Sequence, residues 1–387
     1  MKNNLHSLTV FSRVIFVLLL MNIQTGKVFS QSVLPVPDHI VIAVLENHAY
    51  TQIIGSVAAP NINALANDSY SALFTQFYAV EHPSQPNYLD LFSGCNQGVT
   101  NDDFPETNPF TADNLARQLI DSGMTFVTYS EDLPFVGYNG ATYGHYVRKH
   151  NPAANWMGTG INQIPETTNQ PLTAFPSTDF TLLPTVCLVV PNQIHNMHDG
   201  TDPSRIIVGD TWIYDNLNNY IEWAKTHNSL FILTFDEDDE QGSNRIVTIF
   251  TGQMVEAGQY AETYNLYNIL RTIEDMYGLP HACNAATATA ISGCWNTSNG
   301  IAENPDHDVF SVFPNPADGK FSVQLKNSAL GKFGNIEVYN AFGKKVFMEN
   351  FTNSDSKEIH LKNSPSGIYF VKVSNGEKLY IKKVVIE

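Results

Sequence analysis

Basic residues are scarce in this sequence. Only 21 Lys plus Arg stand against 38 Asp plus Glu, a formal net charge of −17 over 387 residues. An excess of that sign repels phosphate backbones and excludes a nucleic-acid scaffold as partner. Cysteine is nearly as sparse, with four in the chain and no C-x-x-C pair, which argues against a cysteine zinc site. The chain also lacks a G-x-S-x-G elbow, a Walker loop and an H-E-x-x-H helix. Long apolar runs are missing too. The stretch from Val14 to Ile23, broken by Asn22, falls well short of the ~20 residues a bilayer crossing needs.

What that stretch does resemble is a secretory signal. Basic Lys2 and Arg13 precede it, and Val28 and Ser30 put small residues at the −3 and −1 positions before Gln31. Residues 1–30 are therefore expected to be removed, leaving an exported chain with no membrane span. The remaining 357 residues suffice for two domains. From Asp306 to Glu387 there are 11 Lys, no Arg and 9 acidic residues, a net of +2, so residues 1–305 carry −19. The polar, turn-rich stretch Asn296–Pro305 falls between these two compositions. These features predict a catalytic body over 31–297, a linker over 298–307 and a second domain over 308–387. In the last part, "FSVQL", "NIEVYN", "KEIHL", "GIYFVKV" and "LYIKKVVI" alternate apolar and polar residues, which predicts a small antiparallel β-sandwich.

In the body, "HIVIAVL" (39–45), "TFVTYS" (125–130), "TVCLVV" (185–190), "LFILTF" (230–235) and "RIVTIF" (245–250) read as strands with nearly continuous apolar character. Helices are expected over Asn61–Asp68, Pro86–Phe92, Thr111–Ser122, Thr211–Thr226 and Tyr264–Tyr277. This alternation predicts an α/β fold with a doubly wound, mostly parallel sheet. Four strands run straight into polar clusters: Glu46-Asn47-His48, Glu131-Asp132, "PNQIHNMHDG" and Asp236–Glu240. Open parallel sheets bind ligands beyond the carboxyl ends of their strands, so the clusters predict one shared rim. Glu46, Asn47, Asp236 and Glu237 offer oxygen donors suited to a hard or borderline divalent cation. The acidic run is not an EF-hand, because Gln241 and Val247 stand where the loop needs Gly and Glu. Among the cysteines, Cys283 and Cys294 are close in sequence and read as a disulfide pair. Cys187, inside a strand run, reads as a buried thiol.

Two readings of Ser84 in "EHPSQPNYLDLFSG" (81–94) stay open on local grounds. It could cap the helix ending at Gly94, since serine is a preferred N-cap. It could instead be a nucleophile at a helix N-terminus whose free N–H groups await an anion.

The stretch "APNINALANDSYSALFTQFYAVEHPSQPNYLDLFSG" resembles the nucleophile region of the alkaline phosphatase superfamily. "VLENHAY", "YSEDLP", "VRKHNP", "VPNQIHNMHDG", "GDTWI", "LTFDEDD", "NRIVTIFTG" and "LRTIEDMYGLP" resemble more specifically the acid phosphatase and phospholipase C phosphoesterase family. The likeness implies an alkaline phosphatase-like fold and a phosphoserine formed on Ser84. It further implies one divalent metal held by Glu46, Asn47, Asp236, Glu237 and the Ser84 oxygen. His82 and His198 follow as catalytic imidazoles, and Asn87, His150 and Asp199 as substrate contacts. Imidazoles suit protonation of a leaving oxygen near neutral pH. Glu131 and Asp132 are expected to orient neighbours. The chain departs from the family pattern at Leu266, where His is frequent, and at Asn196, where Asp is frequent; His195 is a nearby substitute.

"VFPNPADGKFSV", "IEVYNAFGKKV" and "SPSGIYFVKVSNGEKLYIKKVVI" resemble the C-terminal sorting domain of type IX secretion, which implies that machinery as partner and a secreted or surface location. The expected activity is that of a secreted acid phosphatase. A phosphodiesterase of the phospholipase C type and a catalytically degenerate binding protein are the alternatives.

Overall fold

The computed structural model describes residues 34–296, 310–325, 333–341, 343–352, 356–361, 364–374 and 379–387. The expected signal segment and linker lie outside these residues. The chain divides into two compact units at Thr297/Ser298.

The first unit is built on an eight-stranded sheet. In chain order its strands are β1 (His39–Leu45), β2 (Ser71–Phe74), β3 (Phe126–Ser130), β4 (Asn169–Pro171), β5 (Val186–Val190), β6 (Ser229–Phe235), β7 (Thr248–Thr251) and β8 (Gly258–Tyr260). In space they run β8-β2-β7-β6-β1-β5-β3-β4. The five strands from β6 to β4 are mutually parallel. Every residue of β5 and β6 is buried, as continuous apolar runs require when helices cover both faces. Five helices matter here: α1 (Pro60–Ala66), α2 (Ser84–Ser93), α3 (Leu115–Asp121), α4 (Ser204–Ala224) and α5 (Leu266–Tyr277). Three of them have side chains that fix their starts. Asn114 caps α3 by accepting from the Arg117 N–H, Asn265 caps α5, and Asp210 of α4 accepts from the N–H groups of Asn61 and Ile62 at the start of α1.

The strand expected over 245–250 forms later, at Thr248–Thr251, and runs antiparallel to both β6 and β2. The twelve residues 236–247 between β6 and β7 contain no helix, so the chain has no crossover with which to return in parallel. It turns back at the rim and leaves its acidic residues there.

The expected Cys283–Cys294 pairing is wrong. Cys95 pairs with Cys283, 5.9 Å apart at Cα and 188 residues apart in sequence. Backbone packing brings them together: the Asn284 N–H donates to Gly94 O at 3.1 Å. Gly94 ends α2 in the left-handed region (φ 73°), and a Cβ there would stand 2.3 Å from the Ala282 carbonyl oxygen. Only glycine satisfies both demands. Cys294 is buried in the core beside Trp295, and Cys187 is buried in β5; burial pushes both thiols up. Replacing Cys95 and Cys283 together by serine should cost about 2–5 kcal/mol, read from urea unfolding, because the bridge closes a long loop in the unfolded chain.

The second unit is two antiparallel sheets around a core of its own. Phe310–Phe313, Lys320–Leu325 and Ser356–His360 form one sheet; Phe333–Asn340, Lys345–Thr352, Gly367–Ser374 and Leu379–Ile386 form the other. Phe310, Phe321, Val323, Ile336, Val338, Val371 and Val384 fill the space between them, which is the sandwich that the alternation predicts.

Candidate active site

The parallel neighbours β6, β1, β5 and β3 end at one edge, and all four polar clusters of the sequence emerge there. Glu46 follows β1 and is fully buried; Asp236 and Glu237 follow β6 and are each 1 % exposed. Ser84, in the first turn of α2, is equally buried and joins the two acidic arms. Its hydroxyl lies 2.9 Å from Glu237 Oε1 and 3.1 Å from Glu46 Oε2. Ser84 is therefore not the helix cap. Pro83 occupies that position, and the Ser84 oxygen faces carboxylates instead of its own helix's N–H groups.

Asn47 completes the cluster. It sits in the left-handed region (φ 42°), a conformation that asparagine tolerates better than most residues. Its Nδ2 donates to Glu237 Oε1 at 2.9 Å, and its backbone N–H donates to Asp236 Oδ1 at 3.2 Å. Three carboxyl groups thus share one dry pocket. Burial, then the charges of Glu46 and Glu237, pushes Asp236 well above the usual range. Burial likewise raises Glu46, against the Tyr88 hydroxyl and the charge of Lys149, and raises Glu237, against His82 and Ser84.

Among the described residues no three His, Cys, Asp or Glu side chains make a metal cage by themselves. Here, however, the donor set includes an amide and a hydroxyl, and two of its oxygens, Asn47 Oδ1 and Asp236 Oδ2, are buried without a hydrogen-bond partner. Unpartnered buried oxygens beside clustered carboxylates are a donor set that fits a divalent cation.

The imidazoles surround this pocket. His82 Nδ1 is hydrogen-bonded to Glu237 Oε2, and its Nε2 lies 3.6 Å from Asp238 Oδ1. Ser84, Glu237 and His82 therefore form one continuous chain from the buried hydroxyl to a ring that is one-third exposed. His150 is buried and stacked on Tyr88, with ring centroids 5.1 Å apart. The departure at Asn196 now has a physical meaning. Its Oδ1 accepts from the His198 N–H, which turns Nδ2 toward His150 Nδ1 at 3.2 Å. Nδ1 must then accept, so the His150 proton resides on Nε2. That nitrogen comes within 3.3 Å of Glu46 Oε2, but at an angle that makes no hydrogen bond, so it stands unpartnered. Burial holds His150 well below the ordinary histidine range, and the ring is neutral.

Other expected residues are placed differently. Asn87 is saturated: Oδ1 accepts from the Val80 and Glu81 N–H groups, and Nδ2 donates to Glu81 O and Pro83 O. It clamps the turn before Ser84 and has no donor left for phosphate. Asp199 accepts from His198 Nδ1 at 2.9 Å and orients that ring, which lies 6.2 Å from His150. At the helix N-terminus one donor is already spent, since the Gln85 N–H donates to Asp102 Oδ1 at 3.0 Å. His195, the nearby substitute, is bound through Nδ1 to Glu131, which also accepts from Trp212 Nε1 and the Asn192 N–H. Glu131 therefore orients neighbours, as expected, and so does Asp132, which accepts from Asn192 Nδ2. Leu266 is buried in the first turn of α5.

Tyr88 escaped the sequence reading, yet its hydroxyl donates a hydrogen bond to Glu46 Oε1. The available signal was its place four residues after Ser84, on the same helix face. Two residues further along α2, Asp90 accepts from Tyr267 at 3.2 Å, and its second oxygen has no partner. Burial, then the Glu81 charge, pushes Asp90 to about 8. A carboxyl raised in the folded state stabilises fully below its unfolded value, near pH 4, and that contribution is lost as pH climbs toward 8. Asp90→Asn should therefore melt several degrees higher than wild type at pH 8 and almost alike at pH 4, read by thermal unfolding.

With fold and site in view, the comparisons place the molecule. Residues 58–280 match the Phosphoesterase family, and the chain belongs to that family of hydrolases acting on phosphoric esters. Residues 311–387 match the secretion system C-terminal sorting domain, which addresses the chain to type IX export, outside or onto the cell surface. No helix among the described residues is long and apolar enough to cross a membrane. The chain is 42 % identical over 265 residues to a phosphatidylinositol-3-phosphatase of Mycobacterium tuberculosis, covering 68 % of this chain and 85 % of that one. It is 31 % identical over 252 residues to an acid phosphatase of Aspergillus fumigatus, covering 61 % of this chain but 54 % of the fungal one, about half its length. A solved protein of the alkaline phosphatase superfamily from Vibrio parahaemolyticus superposes with a TM-score of 0.45 at 11 % identity, over 91 % of this chain and 83 % of that one.

Proposed function

We propose that this chain is an exported phosphatase that hydrolyses phosphate monoesters through a phosphoserine on Ser84. One observation carries the reading. A buried serine hydroxyl at a helix start lies between carboxylates from two strand ends, beside two unpartnered oxygens that fit one divalent cation. Glu46, Asn47, Asp236, Glu237 and the Ser84 oxygen would hold that cation, whose identity this donor set leaves to experiment. When bound, it supplies a fixed positive charge that favours the ionised serine and offsets charge on the phosphoryl oxygens.

The chain's own groups do the rest. The Ser84 proton passes along its hydrogen bond to Glu237, whose far oxygen is held by His82. The serine oxygen forms a bond to phosphorus as the bond to the alcohol oxygen breaks. His198, oriented by Asp199 and partly open to solvent, gives the departing oxygen its proton. The neutral His150 offers its Nε2 proton to a phosphoryl oxygen as a hydrogen bond. Water then gives a proton to His198 as its oxygen attacks phosphorus, the serine–phosphorus bond breaks, and Ser84 recovers its proton from Glu237. The activities that name the two relatives, phosphatidylinositol-3-phosphatase and acid phosphatase, both support a phosphatase over a diesterase. Hydrolysis of p-nitrophenyl phosphate against bis(p-nitrophenyl) phosphate, with chelator and with metals restored, tests the reading. Preference for the monoester, abolished by chelation, is expected; preference for the diester overturns it, and hydrolysis of neither marks a binding protein.

A further inference from the structure

The proton donor of the mechanism above, His198, sits on a loop that needs holding. Its ring nitrogen Nδ1 is bound to Asp199, but that carboxylate belongs to the next residue and is half exposed, so the pair moves with the loop. The backbone there is also strained. Met197 is buried in the left-handed region (φ 78°), a conformation that persists only where the surroundings enforce it.

Two sets of contacts tie this loop to the turn that carries Glu46. One is backbone: the Glu46 N–H donates to the Asn196 carbonyl at 2.8 Å. The other runs through side chains. Arg205 Nη1 donates to the His198 carbonyl at 3.2 Å, and its Nε donates to Asp202 Oδ1 at 2.8 Å. Asp202 Oδ1 in turn lies 3.1 Å from Nε2 of His48, a fully buried ring whose Nδ1 donates to the Glu46 carbonyl at 2.7 Å. Arg205 stands in the first turn of the long helix α4, and Gly209 lies four residues on, along the same face. A Cβ at Gly209 would stand 2.4 Å from Met197 Cγ and 2.9 Å from the His195 carbonyl oxygen, so glycine lets α4 press directly on the loop. A planar guanidinium spanning two acceptors makes a stiff strut between them.

We propose that Arg205 is a positioning residue: by bridging Asp202 and the His198 carbonyl, it fixes where the His198 ring stands relative to Ser84 and the Glu46 turn. The inference rests on the phosphatase reading above, and the test separates the two. With the cation saturating, kcat/KM reports formation of the phosphoserine, the step in which the alcohol leaves. p-Nitrophenyl phosphate releases a weakly basic phenolate that departs without a proton. Benzyl phosphate carries a ring of similar size on a strongly basic oxygen that needs one. Arg205→Met should cost p-nitrophenyl phosphate no more than about threefold, but benzyl phosphate at least about thirtyfold, as expected when a proton donor is misplaced. His198→Ala should show the same asymmetry, and adding Arg205→Met to it should add no more, since the strut then has no donor to hold. A residue that merely supported the fold would slow both esters alike. Equal losses in Arg205→Met, or an asymmetry that adds in full in the double variant, overturn the proposal. If Arg205→Met does not fold, Arg205→Lys, which keeps the charge without the rigid fork, carries the same comparison. Equal losses in His198→Ala remove His198 as donor and the strut's role with it, while the phosphatase reading stands. If metal-replete wild type hydrolyses neither ester, the phosphatase reading falls and takes this inference with it.

Discussion

Ser84→Ala should lower phosphate release by roughly 10³-fold or more, the scale of loss when a covalent nucleophile is removed. The substitution deletes one buried oxygen and little else, because α2 begins at Ser84 without help from its side chain. The variant should therefore fold and keep its disulfide. Glu46 and Glu237 lose one shared donor, so a modest loss of stability is expected, of about 1–3 kcal/mol. The decisive readout is covalent. Wild type quenched in acid during turnover should carry one phosphoryl group on the peptide containing Ser84, and the variant none. Turnover within tenfold of wild type in Ser84→Ala would sink the phosphoserine route, whatever happened to stability.

The second large effect concerns charge and reverses the usual expectation for an active-site substitution. Asp236→Asn should abolish most activity yet make the metal-free protein more stable. Asp236, Glu46 and Glu237 crowd one buried pocket, and burial raises all three. Their ionised forms destabilise the metal-free fold, so its stability is greatest below the ordinary carboxylate range and falls as pH rises through the raised values. Removing one negative charge relieves that cost. Chelated wild type should lose melting temperature between pH 5 and 8, and the variant should lose less. Adding a divalent cation at a hundred times its dissociation constant should return about 2.7 kcal/mol to wild type and little to the variant. The same scan over Mg²⁺, Ca²⁺, Mn²⁺ and Zn²⁺ identifies the metal. A melting temperature indifferent to both chelator and cation would refute the cation site.

How much of this was legible beforehand depends on distance along the chain. Strands β1, β3, β5 and β6 announce themselves through local composition, and the polar residues that follow each one name the rim. Glu46 and Asp236 could therefore be paired across 190 residues without coordinates, since parallel neighbours end together. Features that depend on what lies opposite were not legible. Asn87 looks like a free donor until the turn 80–83 folds over it. Nothing in "NDDFPE" says that Asp102 will cover the Gln85 N–H. Cys283 lies eleven residues from Cys294 in sequence, yet contact with Gly94 gives it to Cys95. Sequence nearness predicted that bridge wrongly because packing, not chain separation, decides which thiols meet. The antiparallel turn of β7 was hidden for a related reason: an apolar run reads the same in either direction.

The Cys95–Cys283 bridge carries a further consequence for a molecule sent outside the cell. It closes a covalent hoop over residues 95–283, most of the first unit, and exposed residues such as Ile161 and Leu182 lie on that hoop. A protease that cuts once at either place leaves the two fragments joined, with Ser84 and Asp236 still packed against each other's neighbours. The nick shows only after reduction, as two bands where one ran before. In surroundings rich in proteases, damage at the surface is thereby separated from loss of the active molecule.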